Sequence, residues 1–243
     1  MKKKLYLFCT FMLFMITLVA CDQQVYSQNH SGKAKTIEKK AYIKGDAPPI
    51  ETETLDIPLI NQMDHPRLYN GCEVASLAMI LNYHGLDVTK NELADKVERV
   101  PLTYDNGLKG NPNDGFVGDI KDGPGLSIYH GPMHELAEEY VGDRAIDISG
   151  DSVEKLYSYL SKGLPVWIIT TSNLVPVDTF ETWETPSGEI DVSFNVHSVA
   201  VTGYDEDAVY VNNPYGQKNQ RINKEDFEKS WKQMGSQAIV ITK

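Results

Sequence analysis

Apolar residues recur along this chain with two periods, and the change from one to the other divides it. Over 72–83, Val74, Ala75, Ala78, Met79 and Leu81 recur at three- and four-residue spacing, which predicts a helix, and Gly85 beyond them can take the left-handed cap. Thr89 and Glu92 form a capping box ahead of a helix over 93–97. Pro132 can open a helix running to Tyr140 and stopped by Gly142, and another helix is predicted from about Ser149 to Gly163. From Leu164 the pattern changes: 164–170 is a continuous apolar run of strand length, and 194–204 and 208–213 alternate about the acidic turn Asp205-Glu206-Asp207. A helix over 223–234 and a strand over 237–242 close the chain. Helices first and strands later predict an α+β fold, with N-terminal helices packed on a C-terminal antiparallel sheet.

The hairpin makes a prediction about chemistry. With Asp205 at the turn's centre, 199 faces 211, 201 faces 209 and 197 faces 213, so Val199, Val201, Val209 and Val211 share one face. His197 and Asn213 then stand opposite one another, close enough for the Asn side-chain oxygen to accept the imidazole N–H. A slip of one residue would bring in Asn212 and bury the wrong face. Taken alone, the pair fits an ordinary structural hydrogen bond as well as an oriented catalytic histidine.

Charge and cysteine usage narrow the reading. Lys2, Lys3 and Lys4 precede sixteen uncharged, largely apolar residues, 5–20, which is the form of a secretory signal and short of the roughly twenty residues a membrane span needs. The stretch ends in Leu18-Val19-Ala20-Cys21, which resembles a bacterial lipobox. The expected organisation is a lipoprotein signal over 1–20, a flexible tether over 21–55 anchored through lipid on Cys21, and one domain over 56–243. As a coil, the tether would hold the domain on the order of 30 Å from the bilayer. Of the three cysteines, Cys9 leaves with the signal and Cys21 carries lipid, so Cys72 is the one free thiol and no intrachain disulfide can form. Cys72 follows Asn70-Gly71 at a helix start, where the macrodipole and unpaired amides favour a thiolate; the competing reading is a small buried hydrophobe. Composition is that of a soluble domain, 41% hydrophobic and 23% charged. Losing three lysines and no acid with the signal moves the formal charge from −11 to −14, which disfavours nucleic acid and anionic membrane surface as partners.

Gly71-Cys72-Glu73 with its helix, His197 to Tyr204, and Val211-Asn212-Asn213-Pro214 resemble the cysteine, histidine and Asn/Asp boxes of papain-fold cysteine peptidases. The likeness is to an exported, stand-alone form related to the bacteriocin-processing, double-glycine leader peptidases. It extends to Ile57-Pro58-Leu59-Ile60-Asn61-Gln62, Gly115-Phe116-Val117-Gly118 and Gly163-Leu164-Pro165-Val166-Trp167, so it spans nearly the whole domain. The resemblance implies a papain-like fold and acyl transfer without cofactor or metal. Cys72 would attack, His197 would carry the proton, Asn213 would orient the imidazole, and Gln62 with the Cys72 backbone N–H would stabilise the oxyanion. The chain departs from the pattern at two positions: the double-glycine branch usually has Asp where Asn213 stands, and Glu73 stands where many papain-like enzymes have Gly. No transporter domain is fused, so the leader-cleaving role does not carry over. The implied protein is a monomer on the extracytoplasmic face of the cell membrane. Its substrate would be a peptide or protein outside the membrane, cell-wall peptide among them. An acyl transferase and a catalytically inactive peptide- or protein-binding module share the same boxes.

Other polar clusters are expected to be structural. His130 and His134 have the i,i+4 spacing of zinc ligands, but Gly131-Pro132 is expected to interrupt the helix and separate them, so no metal site is predicted. Residues 105–125 are crowded with Asp, Asn and Gly yet lack the bidentate Glu of a calcium loop, and are expected to form Asx turns and a cleft wall. His65 and His84 have no evident partner, and Trp167, Trp183 and Trp231 read as packing residues.

Overall fold

A computed structural model describes residues 54–243. The expected signal segment, Cys21 with its expected lipid, and nearly all of the expected tether lie outside the described residues. In chain order the elements are α1 (Cys72–Tyr83), α2 (Lys90–Lys96), β1 (Arg99–Val100), β2 (Phe116–Val117), α3 (His130–Val141), β3 (Ala145–Asp147), α4 (Val153–Leu160), β4 (Val166–Thr171), β5 (Glu181–Thr185), β6 (Gly188–Val192), β7 (Val196–Tyr204), β8 (Ala208–Asn213), β9 (Gln217–Asn223), α5 (Lys224–Gln233) and β10 (Ala238–Ile241). Six strands form one antiparallel sheet in the order β3-β10-β4-β7-β8-β9.

Helices cover both faces of that sheet, which is why β4, and β7 from His197 onward, are buried at every position rather than at alternate ones. Trp167, Ile169, Ala200 and Ile239 meet Val74, Leu77, Ala78 and Leu81 of α1 on one face. Val166, Ile168, Val199, Val201, Val209 and Val211 meet Leu156 and Leu160 of α4 and Phe227 and Trp231 of α5 on the other. Residues 72–81 of α1 are all buried, because α2 and α3 close over the side that the sheet leaves free. The helix carrying Cys72 is therefore packed on all sides over residues 72–81.

The valine face of the β7–β8 hairpin is as expected, but its register is not. Ala200 faces Asn212 and Val201 faces Val211; after a bulge between Val201 and Gly203, Tyr204 faces Val209. The turn is centred one to two residues later than Asp205, because Asp205 Oδ1 accepts the N–H groups of Asp207 and Ala208 and so ends β7 before it. The displacement near His197 amounts to two residues. An even shift preserves the buried face, so Asn213 becomes the diagonal neighbour of His197 instead of the directly opposite one.

Two further expectations change. Helix α3 begins at His130, two residues before Pro132, so His130 and His134 do lie on one helix. Proline is tolerated there because the first-turn N–H it lacks would have no intrahelical acceptor. Each histidine is bound elsewhere: His130 Nδ1 to Asp147 at 2.6 Å, and His134 Nε2 to the Ala145 carbonyl at 3.1 Å. No cluster of three metal-ligating side chains occurs among the described residues. The β5–β6 ribbon and β9 were not predicted. Gln217–Asn223 is an edge strand with one buried residue, Ile222, and a strand that buries one side chain leaves no period to read.

Candidate active site

The chain enters α1 through Gly71, which no larger residue could replace without movement: a Cβ there would sit 2.4 Å from Leu68 Cβ. Cys72 is the first residue of the helix and 8% exposed. Asn70 ties this entry to the 115–125 loop, its Nδ2 donating to the carbonyls of Asp119 at 2.7 Å and Gly123 at 3.0 Å. Gly125, where that loop ends, and Leu126 after it line one side of a cleft of about 340 Å³, whereas Gly115-Phe116-Val117-Gly118, from which a cleft wall was expected, do not. Gln62, Met63 and Tyr69 line it from the segment before α1, and Phe194, Val196 and Tyr215 from the sheet side, with Cys72 at the base. Three larger cavities, of about 420, 510 and 670 Å³, lie elsewhere, and none of them is lined by a cysteine.

His197 and Asn213 come together as expected: Nε2 and Oδ1 are 3.0 Å apart. Two further contacts settle which atom donates. Asn213 Oδ1 also accepts the Tyr215 backbone N–H at 3.0 Å, while Asn213 Nδ2 donates to Gln220 Oε1 at 2.9 Å. The amide orientation is thus fixed, so the imidazole proton sits on Nε2 and Nδ1 keeps its lone pair. The Tyr215 ring lies parallel to the imidazole, 8° and 4.7 Å away, and leaves His197 only 1% exposed. Burial holds the imidazole down at about 4, and the Asn213 hydrogen bond offsets only part of this.

Cys72 differs electrostatically from what its helix position suggests. Burial and the adjacent Glu73 carboxylate push the thiol well above its ordinary range, and they outweigh the backbone amides of Ser198 and Cys72 itself. The thiol donates to Glu73 Oε2 at 3.3 Å, and no hydrogen bond joins Sγ to the imidazole. Both reacting groups therefore rest neutral, as thiol and as imidazole.

Glu73 is fully buried. Its Oε1 accepts from Ser127 Oγ at 2.6 Å, and its carbonyl oxygen accepts the Trp167 indole N–H at 3.0 Å. Trp167 thus packs the core and also pins the first turn of α1. Gln62 shares the cleft with Cys72 and is held to the Asn213 loop by its backbone N–H, which donates to the Pro214 carbonyl at 2.8 Å. Its Nε2 donates to the carbonyls of Leu68 at 3.2 Å and Tyr69 at 2.9 Å, while Oε1 is buried without a partner. The reverse orientation would set Oε1 against two carbonyl oxygens. An oxyanion contact from Gln62 would have to share one of those two protons.

Ser127, Tyr215 and Gln220 belong to the site and were not foreseen. Tyr215 lies two residues past Asn213, and its aromatic ring beside a proline was the one available signal; Ser127 and Gln220 gave none.

A helix-borne cysteine set against a histidine–asparagine pair on an antiparallel sheet defines the papain-like class of α+β proteins. The profile of the Peptidase_C39 like family matches residues 54–239, and the chain belongs to that family. It is 56% identical to the uncharacterized protein YvpB of Bacillus subtilis (strain 168) over 221 residues, 91% of this chain and 86% of that one. It also superposes with a TM-score of 0.75 on a solved structure from Bacillus anthracis that carries the name C39-like peptidase. The two are 42% identical over 79% of this chain and 98% of the other.

Proposed function

We propose that this protein is a cysteine peptidase that hydrolyses peptide or isopeptide bonds through Cys72, His197 and Asn213. The observation that carries the reading is the fixed tautomer of His197: Asn213 Oδ1 accepts the hydrogen bond from Nε2–H, which leaves Nδ1 as the base. Because thiol and imidazole rest neutral, attack is coupled to proton transfer. The S–H proton passes to Nδ1 as the sulfur electron pair forms the bond to the carbonyl carbon. The imidazolium then protonates the leaving amine, and water releases the acyl group. The amides of the first turn of α1 face the oxyanion, with Gln62 as a further donor, and one well-placed donor contributes about 3 kcal/mol.

The domain acts outside the membrane, held by lipid on Cys21 through the tether, on a peptide or protein substrate. The charged segment Lys2–Lys4, the apolar stretch after it and Leu18-Val19-Ala20-Cys21 support this placement. Among the described residues no helix is long and apolar enough to cross a membrane. Labelled palmitate should enter the wild-type chain in a bacterial host and not Cys21→Ala. Hydrolysis of an unfolded protein should be seen with wild type and be lost in Cys72→Ala and His197→Ala. Products formed with added hydroxylamine separate hydrolysis from transfer to an amine. Absence of turnover with tight peptide binding would identify a binding module instead.

A further inference from the structure

Glu73 is a buried acid that the acyl-transfer steps do not use. Its carboxylate accepts from the Cys72 thiol at 3.3 Å and the Ser127 hydroxyl at 2.6 Å, and the backbone amides of Glu73 and Ile128 also favour its charged form. Among the described residues no Lys, Arg or His forms an ion pair with it. A carboxylate taken out of water with no counter-charge is costly, and burial raises its own proton affinity. The titratable groups that feel it from neighbouring elements are tyrosines: Tyr129, before α3, is pushed up to about 12 by burial and by Glu73, and Tyr215, after β8, is raised by burial, Cys72 and Glu73. The backbone amides of Ser198 and Cys72 are the groups that favour a sulfur anion here, burial and Glu73 outweigh them, and the Glu73 carboxylate is in hydrogen-bond contact with the thiol.

We infer that Glu73 is a positioning residue that holds the Cys72 proton on sulfur in the resting enzyme, so that the thiol reacts only after its S–H turns from Glu73 to His197 Nδ1; this inference rests on the peptidase reading above. In the resting state the carboxylate accepts the S–H and repels a sulfur anion. A substrate carbonyl drawn to the α1 amides meets a neutral thiol, and when the S–H turns its proton goes to Nδ1 while the electron pair stays on sulfur for attack. The nucleophile is stored as a poorly reactive thiol and not as a preformed thiolate.

The test is alkylation of the full chain by iodoacetamide across pH, followed at the peptide containing Cys72, beside a peptidase assay on the same samples. In wild type the Cys72 rate should be half-maximal above the ordinary thiol value of 9.0. Glu73→Gln keeps the shape and removes the charge; it should move the half-point down by at least one pH unit and raise the rate at pH 7 about tenfold or more. Ser127→Ala takes a donor from the carboxylate, leaves more of its charge on the oxygen that faces sulfur and should move the half-point up, which supplies a second reading should the Gln variant not fold. A wild-type plateau at or below pH 7, or identical profiles in wild type and a folded Glu73→Gln, would overturn the role of Glu73. Shifted profiles with no peptide turnover in any sample would overturn the peptidase reading and leave the Glu73–thiol coupling standing.

Discussion

Replacing His197 with Asn should remove a specific pH dependence from the stability of the protein. In the folded state burial beneath Tyr215 holds the imidazole at about 4, against an ordinary 6.5. The folded-state value is depressed, so between 6.5 and about 4 the unfolded chain binds a proton that the folded chain does not, and stability falls as pH falls through that window. Above 6.5 neither state is protonated and the contribution vanishes. A difference of about 2.5 units at about 1.4 kcal/mol each, less the half-protonation reached at the lower limit, gives about 3 kcal/mol between pH 7 and pH 4. The side chain is essentially buried, so solvent screening does not reduce this. Glu73 acts with the opposite sign: its raised value adds stability at low pH that is lost as pH rises through its folded-state value. That contribution is common to both proteins and cancels in the comparison. Urea unfolding of wild type and His197→Asn at pH 7 and pH 4 gives the double difference directly, and any constant cost of the substitution drops out. The account expects wild type to lose about 3 kcal/mol more than the variant over this range. Equal losses would show that the histidine is solvated in solution, and the arrangement of Tyr215, His197 and Asn213 described above would be wrong.

Asn213→Ala should lower kcat on the order of 10²-fold with little change in KM, because the tautomer is no longer fixed, whereas Asn213→Asp still accepts the Nε2 proton and should retain most activity; steady-state kinetics decides. Gly71→Ala places a methyl group 2.4 Å from Leu68 Cβ and should cost about 1–3 kcal/mol in urea unfolding while displacing Cys72. Trp167→Phe removes the donor to the Glu73 carbonyl and should cost about 1–2 kcal/mol, read as a lower thermal midpoint.

Legibility in the sequence followed how locally each feature is encoded. The α1 helix and the strand at 166–171 announced themselves because they are buried on all sides, and the capping box at Thr89 and Glu92 is formed as read. The union of His197 with Asn213 was legible through the valine face, which survives a two-residue displacement; the register was not, because Asp205 moves the turn with its own side chain. Helix α3 starts earlier than its proline suggested, since a first-turn proline does not mark which turn position it fills. The protonation state of Cys72 was the largest difference. Helix position favours a thiolate, but the opposing effects are burial and a carboxylate whose side chain could have pointed anywhere, and only the fold sets it against the sulfur. Ser127 and Gln220 act through single contacts from distant segments, which no local pattern encodes.

The central claim is that Cys72 attacks a carbonyl with His197 as its base. Rapid-quench intact-mass measurement with a peptidyl p-nitrophenyl ester tests it most directly. The account predicts a single acyl adduct on Cys72 that turns over in wild type, is absent in Cys72→Ala, and forms about 10²-fold more slowly in His197→Ala. An adduct on another residue, or acylation of Cys72 at the same rate without His197, would contradict it.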